Sequence, residues 1–309
     1  MLQQIINIVY RYPKSRLKTY KRFGGYLNYR SVMHNSKLMA KASLQLLPVQ
    51  SYADGLPLYF LTGEKYLYQT LFCIQSLAKA SSHKFRFILV DDGSFDDALI
   101  TQISKSLPGA DLVTQAQIEQ NLRDVLPALQ YPVLHHKRKV YPHIKKLTDV
   151  HTIPGNNWKL VLDSDMLFWH EPTALIQWLE TPDKPVNMLD CVPSYGYSTA
   201  LMEKLCGSCI QPLLNVGAIG LHSGAIDWDN LEAWTKTLEE KEGASYYLEQ
   251  ALSAMLIGNK PTIVLTADSY IVNPGLALVK KRKGVLHHYV DLSKEIYFKS
   301  AWKHFVNKL

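Results

Sequence analysis

The sequence predicts an α/β protein whose central, mostly parallel sheet is flanked by helices. Three observations predict it. Apolar runs at residues 58–62 and 85–90 bracket a stretch, 66–78, whose apolar residues recur at helical spacing. Strand, helix and strand in that order form a βαβ unit, which makes its strands parallel. Further on, the apolar runs 158–162 and 186–189 each end in acid, at Asp163 and at Asp190. Sheets of this class bind ligands beyond the carboxyl ends of their strands.

The elements follow in order. The first strand ends at Thr62, and Gly63-Glu64-Lys65 makes a polar turn into the first helix. The second strand ends in Asp91-Asp92-Gly93-Ser94, so Thr62, Asp91 and Asp92 stand where a ligand would bind. Residues 96–105 read as a helix stopped ahead of Pro108-Gly109, 111–113 as a strand, and 115–130 as mostly helical. After the basic cluster 135–139, residues 141–150 read as a helix carrying Lys145 and Lys146. With Arg138 these lysines are candidates for a phosphate-rich ligand, though a solvated helix face is the better explanation of each one singly. A helix follows Glu171-Pro172, and 191–212, rich in Gly, Ser, Tyr and Pro, reads as a loop over a site. Asn215-Val216-Gly217 lies in a run whose glycines permit close backbone approach. Residues 229–240 and a stretch from 246 through Glu249-Gln250 read as helices, and 262–265 as a strand. A basic turn at 280–284 leads to His287-His288-Tyr289, and the end is basic and aromatic. Residues 51–309 read as one domain behind an N-terminal extension of residues 1–50.

Composition narrows the function. The chain has 309 residues, 47% of them hydrophobic, which is enough for a sizeable core. Its net charge of +7 is unevenly placed. Of the 34 basic residues, nine (Arg11, Lys14, Arg16, Lys18, Lys21, Arg22, Arg30, Lys37, Lys41) fall in residues 1–50, which hold none of the 27 acids; the rest of the chain stands at −2. This is a basic extension on a near-neutral body, not a uniform surface for nucleic acid, and no nucleic-acid recognition module is visible. Its interleaved aromatics, Tyr10, Tyr20, Phe23, Tyr26 and Tyr29, suit an anionic membrane surface, and a solvated extension packed on the body accounts for them equally well. No apolar run approaches a membrane-spanning length, and the start lacks the marks of a signal peptide. The expected location is cytoplasmic, with peripheral contact at the inner membrane face. Cys206-Gly207-Ser208-Cys209 has no second pair, so the four cysteines read as ordinary thiols rather than a zinc site.

The most informative stretch is Leu162-Asp163-Ser164-Asp165. In extended chain, side chains two apart face one way, so both carboxylates point together at the end of a strand. Two like charges so close call for a positive partner. A hard cation, Mn²⁺ or Mg²⁺, takes oxygen ligands and bridges carboxylates to phosphates. The competing expectation is that the pair caps a following helix.

In sequence order, 59–66 with Ser76-Leu77, Asp163-Ser164-Asp165, Asn215-Val216-Gly217, Glu249-Gln250 and His288-Tyr289 with Lys299 and Trp302 resemble the GT-A fold of nucleotide-sugar glycosyltransferases. They are most similar to the retaining family of glycogenin and the bacterial lipopolysaccharide galactosyltransferases. The chain departs from that family at its closing element, which is compact in the family, with Gly and then Lys-Pro-Trp soon after the His. Here Trp302 lies far beyond His288, and Ala301 replaces the Pro.

The resemblance implies a metal-dependent transfer of a sugar from a nucleotide donor, most simply a UDP-sugar, to a glycan, lipid or protein acceptor. It implies Asp163, Asp165 and His288 as metal ligands, His288 rather than His287 because an aromatic follows it. Thr62, Asp91, Asp92, Lys145, Ser164 and Asn215 are expected on the donor, and Lys299 or Lys303 on its diphosphate. Asp190, Glu249 and Gln250 are expected on the sugar and acceptor side. An amide is a poor nucleophile, so Gln250 is expected to stabilise an oxocarbenium-like centre. An inverting enzyme would instead use Glu249 or Asp190 as base. Two further readings are a nucleotidyltransferase, whose Gly-rich basic phosphate loop Leu61-Thr62-Gly63-Glu64 lacks, and a non-catalytic nucleotide-sugar-binding protein.

Overall fold

The structure, a computed structural model, describes residues 12–306; Arg11 and the opening stretch 1–10, counted above in the basic extension, lie outside them. The strands are β1 (Leu56–Thr62), β2 (Phe85–Asp91), β3 (Asp111–Val113), β4 (Trp158–Leu162), β5 (Met166–Phe168), β6 (Val186–Leu189), β7 (Leu214–His222), β8 (Ile263–Leu265), β9 (Tyr270–Val272) and β10 (Leu286–His288). A seven-stranded sheet runs β3-β2-β1-β4-β7-β6-β8, and a three-stranded sheet runs β5-β10-β9. In the large sheet only β7 opposes its neighbours, pairing antiparallel with β4 and β6, so the sheet is mostly parallel, as expected.

Both faces of the large sheet are covered. Along β1, Leu58 and Phe60 pack into one core with Leu89, Leu160, Ile74 and Leu77. Tyr59, between them, packs into another with Val90, Val161, Leu147 and Leu252. Alternating apolar side chains on two buried faces are what a central parallel strand requires.

The helices are α1 (Tyr12–Arg22), α2 (Tyr26–Ser43), α3 (Leu67–Ala80), α4 (Asp97–Ser106), α5 (Gln115–Val125), α6 (Pro132–Val140), α7 (Lys145–His151), α8 (Thr173–Glu180), α9 (Thr199–Cys206), α10 (Trp228–Glu242), α11 (Leu248–Ile257), α12 (Leu276–Lys281) and α13 (Ser293–Lys299). Asp96 caps α4 by accepting the Leu99 N–H at 2.7 Å, and Thr114 with Gln117 forms a capping box on α5.

Three expectations need correction. The helix expected over 141–150 begins as a 3₁₀ turn, Pro142–Ile144, before α7. The loop expected over 191–212 contains α9, which ends at Gly207 in the left-handed conformation at φ 65°. The Asp pair caps no helix, because β5 follows it directly.

The N-terminal helices pack on the body. Val32 and Met39 of α2 are buried with Phe72, Leu167, Tyr297, Phe298 and Trp302. Lys299 bonds Asn28 Oδ1, and Arg22 pairs with Asp291.

Candidate active site

Between Leu162, the last residue of β4, and Met166, the first of β5, the chain passes from the large sheet to the small one. Asp163-Ser164-Asp165 is that crossing. Ser164 turns away from the two carboxylates, and its Oγ lies 2.8 Å from Thr70 Oγ1, itself 2.8 Å from Thr62 Oγ1. The hydroxyls of Thr62 and Ser164 therefore tie β1, α3 and the Asp pair together, and Thr62 is fully buried.

The small sheet explains how a residue from the far end of the chain arrives. β10 lies antiparallel to β5 with His288 opposite Met166, and the Tyr289 N–H donates to Asp165 O at 2.9 Å. His288 Nε2 then lies 3.4 Å from Asp163 Oδ2 and 3.2 Å from Asp165 Oδ1. Its neighbour His287 faces the other way, with Nδ1 accepting from Trp169 Nε1–H at 2.8 Å and Nε2 at 2.6 Å from Lys283 O. Strand alternation thus selects His288.

Asn215 Oδ1 sits 3.2 Å from His288 Nδ1, and Asn215 Nδ2 donates to Asp190 Oδ2 at 3.1 Å. With a cation bound, donation of the Nδ1 proton to Asn215 would leave the Nε2 lone pair facing the two carboxylates. Nε2 is buried and has no hydrogen-bond partner among the described residues. One ligand atom from each of Asp163, Asp165 and His288 lies within 4.8 Å of the others. An orphaned imidazole nitrogen, oriented from behind and facing two carboxylates, fits a hard divalent cation such as Mn²⁺ or Mg²⁺. The carboxylates favour positive charge at this point: burial disfavours the imidazolium, but Asp165 and Asp163 outweigh it and lift His288 to about 9.

Gly217 makes room for this ring. A Cβ there would lie 2.4 Å from His288 Cε1 and Nδ1 and 2.6 Å from Met166 Cε. Gly217→Ala is therefore expected to push the imidazole off the Asp pair and to weaken Mn²⁺ binding about 10- to 100-fold, as lost outer support for a ligand does. Titration calorimetry checks this, and an unchanged affinity would remove His288 from the ligand set.

Two ammonium groups complete the site. Lys146 of α7 is buried and donates to Asp163 Oδ1 at 2.8 Å, with Glu249 Oε2 at 3.3 Å. Burial opposes its charge, but Asp163 and Glu249 more than offset this and keep it firmly protonated. Lys294 of α13 pairs with Asp165. Burial pushes the Glu249 carboxyl up to about 7, and its Oε1 has no hydrogen-bond partner among the described residues. Gln250 Nε2 donates to Ser194 O at 2.8 Å and to Asp190 Oδ2 at 3.3 Å. Gln250, Asp190, Asn215, His288 and the Asp pair thus form one chain of contacts.

Other candidates lie elsewhere or do different work. Asp91 Oδ1 accepts the backbone N–H groups of Gly93, Ser94 and Phe95 at 2.7–3.0 Å and shapes the turn after β2. Asp92 lies beside Gly63, whose Cβ would meet Asp92 Oδ1 at 2.0 Å. Lys145 is occupied by Asp92 O at 2.6 Å. Arg138 is buried on Asp149 and Glu119. Lys299 bonds Asn28 and Glu295, and Lys303 lies over the Trp302 ring, so neither reaches the Asp pair. Lys294, six residues after His288, does reach it; the family's compact closing element was the signal for it. Near Glu249, Tyr141 Oη donates to Tyr246 O at 2.6 Å, and the exposed Tyr246 ring stands 5.0 Å from His143 and 5.4 Å from Tyr247.

No family model and no curated protein matches the sequence. Solved structures do. Apo mouse xyloside xylosyltransferase 1 superposes with a TM-score of 0.51 at 12% identity, over 78% of this chain and 98% of its own. The galactosyltransferase LgtC, in complex with donor and acceptor sugar analogues, gives 0.51 at 14% identity, over 82% of this chain and 97% of its own. The fold is that of GT-A glycosyltransferases. At such identities the likeness concerns the fold. In GT-A terms, the Asp pair, His288 and the Asn215–Asp190–Gln250 chain all gather where β4 leaves the large sheet.

Proposed function

We propose that this protein is a metal-dependent glycosyltransferase that moves a sugar from a nucleotide-sugar donor, a UDP-sugar, to a glycan, lipid or protein acceptor with retention. The observation that carries the reading is the orphaned Nε2 of His288 facing Asp163 and Asp165. These three residues would hold Mn²⁺ or Mg²⁺, which when bound supplies positive charge against the diphosphate leaving group. Lys294, anchored on Asp165 and partly exposed, is the ammonium able to turn to a phosphate. Lys146 fixes Asp163 and Glu249 relative to each other. Both N–H groups of the Gln250 amide are committed, to Asp190 and Ser194. Its carbonyl oxygen is therefore the atom left to face an oxocarbenium-like centre, which supports a stabilising role. In this reading residues 51–309 form the transferase domain, and the protein works in the cytoplasm with residues 1–50 at the inner membrane face.

Incubation with UDP-sugars and Mn²⁺ is expected to release UDP slowly, and acceptor addition to speed it. If no common donor yields UDP while UDP itself binds regardless of metal, the protein is a binding module instead.

One observation favours a second reading. Glu249 is buried, has a free Oε1 and is held near 7, as a general base would be. An inverting enzyme would then lose kcat/KM tenfold per unit below about pH 7, and Glu249→Gln would flatten that limb while abolishing most activity. The retaining reading expects neither. NMR of the product's anomeric proton separates the two.

A further inference from the structure

The two N-terminal helices have an inner face that the body explains and an outer face that it does not. Val32, Ser36, Met39 and Ser43 of α2 are buried against the body. The opposite side exposes Tyr26, Leu27, Arg30, Met33, His34, Lys37, Leu38 and Lys41, with Leu44 just past the helix. At 3.6 residues per turn, Arg30, Lys37 and Lys41 run down the middle of that side. Leu27 and Leu38 flank them on one edge, Met33 and Leu44 on the other. Leu27 is 79% exposed and Leu44 62%. α1 is tied to α2 through Tyr20, whose ring lies 5.2 Å from both Tyr26 and Tyr29, and exposes Leu17, Lys18 and Lys21. No Asp or Glu occurs before Asp54. A second basic segment borders the same core: Val279 is buried with Val32 and Met39, and its helix runs into exposed Lys280, Lys281, Arg282 and Lys283.

We propose that the outer face of α2, with α1 beside it, seats the protein on an anionic phospholipid surface. The proposal rests on the membrane contact of the reading above and gives it a named surface. Lipid accepts both halves of this face. Anionic headgroups attract Arg30, Lys37 and Lys41, whose stems lie along the interface while their charges reach the phosphates. Leu27, Met33, Leu38 and Leu44 enter the headgroup–acyl boundary, where an interfacial helix buries its apolar side chains. RNA would satisfy the cations and leave the aliphatic side chains in water. A second copy meeting this face symmetrically would set Arg30, Lys37 and Lys41 against themselves. The face that docks is also the back of the helix that braces α13, so seating would leave the active site's supports untouched.

The test uses the full chain and sedimentation with vesicles of phosphatidylcholine, with and without phosphatidylglycerol. The chain is expected to bind only the anionic vesicles, and less as salt rises. Arg30→Gln/Lys37→Gln/Lys41→Gln is expected to lower partitioning about a hundredfold. Leu27→Ser/Leu38→Ser/Leu44→Ser is expected to lower it at least about tenfold. All six side chains are exposed, and circular dichroism and Mn²⁺ binding should confirm that both variants are folded. Equal binding to neutral vesicles, or wild-type binding by both variants, overturns the proposal. So does single-stranded RNA binding that only the charge variant loses, or self-association that only the leucine variant loses, when vesicles are not bound. UDP release is measured separately: vesicle binding without it would remove the transferase and leave this surface standing.

Discussion

Asp165→Ala is expected to abolish Mn²⁺ binding in calorimetry and to slow UDP release from a UDP-sugar by about a thousandfold or more. Asp165 is a cleaner test than Asp163. Asp163 accepts from Lys146, which is buried. Deleting its carboxylate would break the buried Lys146–Asp163 pair and leave that ammonium with only Glu249, and breaking a buried pair costs about 3–5 kcal/mol of stability. Loss of activity in Asp163→Ala would then mix unfolding with lost metal. Asp165 instead holds the partly exposed Lys294, which can turn to solvent. The backbone tie from Tyr289 N–H to Asp165 O survives any side-chain change. Wild-type Mn²⁺ affinity in a folded Asp165→Ala protein would end the metal assignment.

The parts of this fold that were legible in the sequence are those fixed by long repeats or by parity. β1, β2 and β4 are largely apolar runs, and Thr62, Asp91 and Asp163 at their ends mark the edge where the site forms. Alternation in extended chain predicts that Asp163 and Asp165 face together, and they still do so in the bend between β4 and β5, where both meet His288. What was illegible depended on a partner not visible in sequence. β9 has three residues, too few to show a period. α9 has helical spacing at Leu201, Met202 and Leu205, but the glycines and prolines around it outweigh eight residues. Lys145 and Lys146 stand about 100° apart on one helix, and only packing decides which enters the site. Thr62 and Ser164 sit at the right strand ends, yet their hydroxyls are spent joining β1 to the Asp pair through Thr70.

Lys294→Met is expected to move two affinities in opposite directions. Lys294 sits on Asp165 beside His288, so its ammonium competes with a divalent ion for the same carboxylate. Removing it should tighten Mn²⁺ binding about tenfold in the absence of nucleotide, the effect of about 1.4 kcal/mol. The same change removes a mobile point charge at the mouth of a diphosphate site. UDP affinity in saturating Mn²⁺ should therefore fall about 10- to 100-fold, since a hydrogen bond to a charged group contributes roughly 1.5–3 kcal/mol. A lysine that only braced α13 would weaken both ligands together through a disordered loop. Lys299 supplies the control. It bonds Asn28 and Glu295 on the far side of the same helix, so Lys299→Met should lower the melting temperature slightly and shift neither affinity. If instead Lys299→Met weakens UDP binding and Lys294→Met does not, the phosphate contact belongs to the later lysine, and α13 must turn when donor binds.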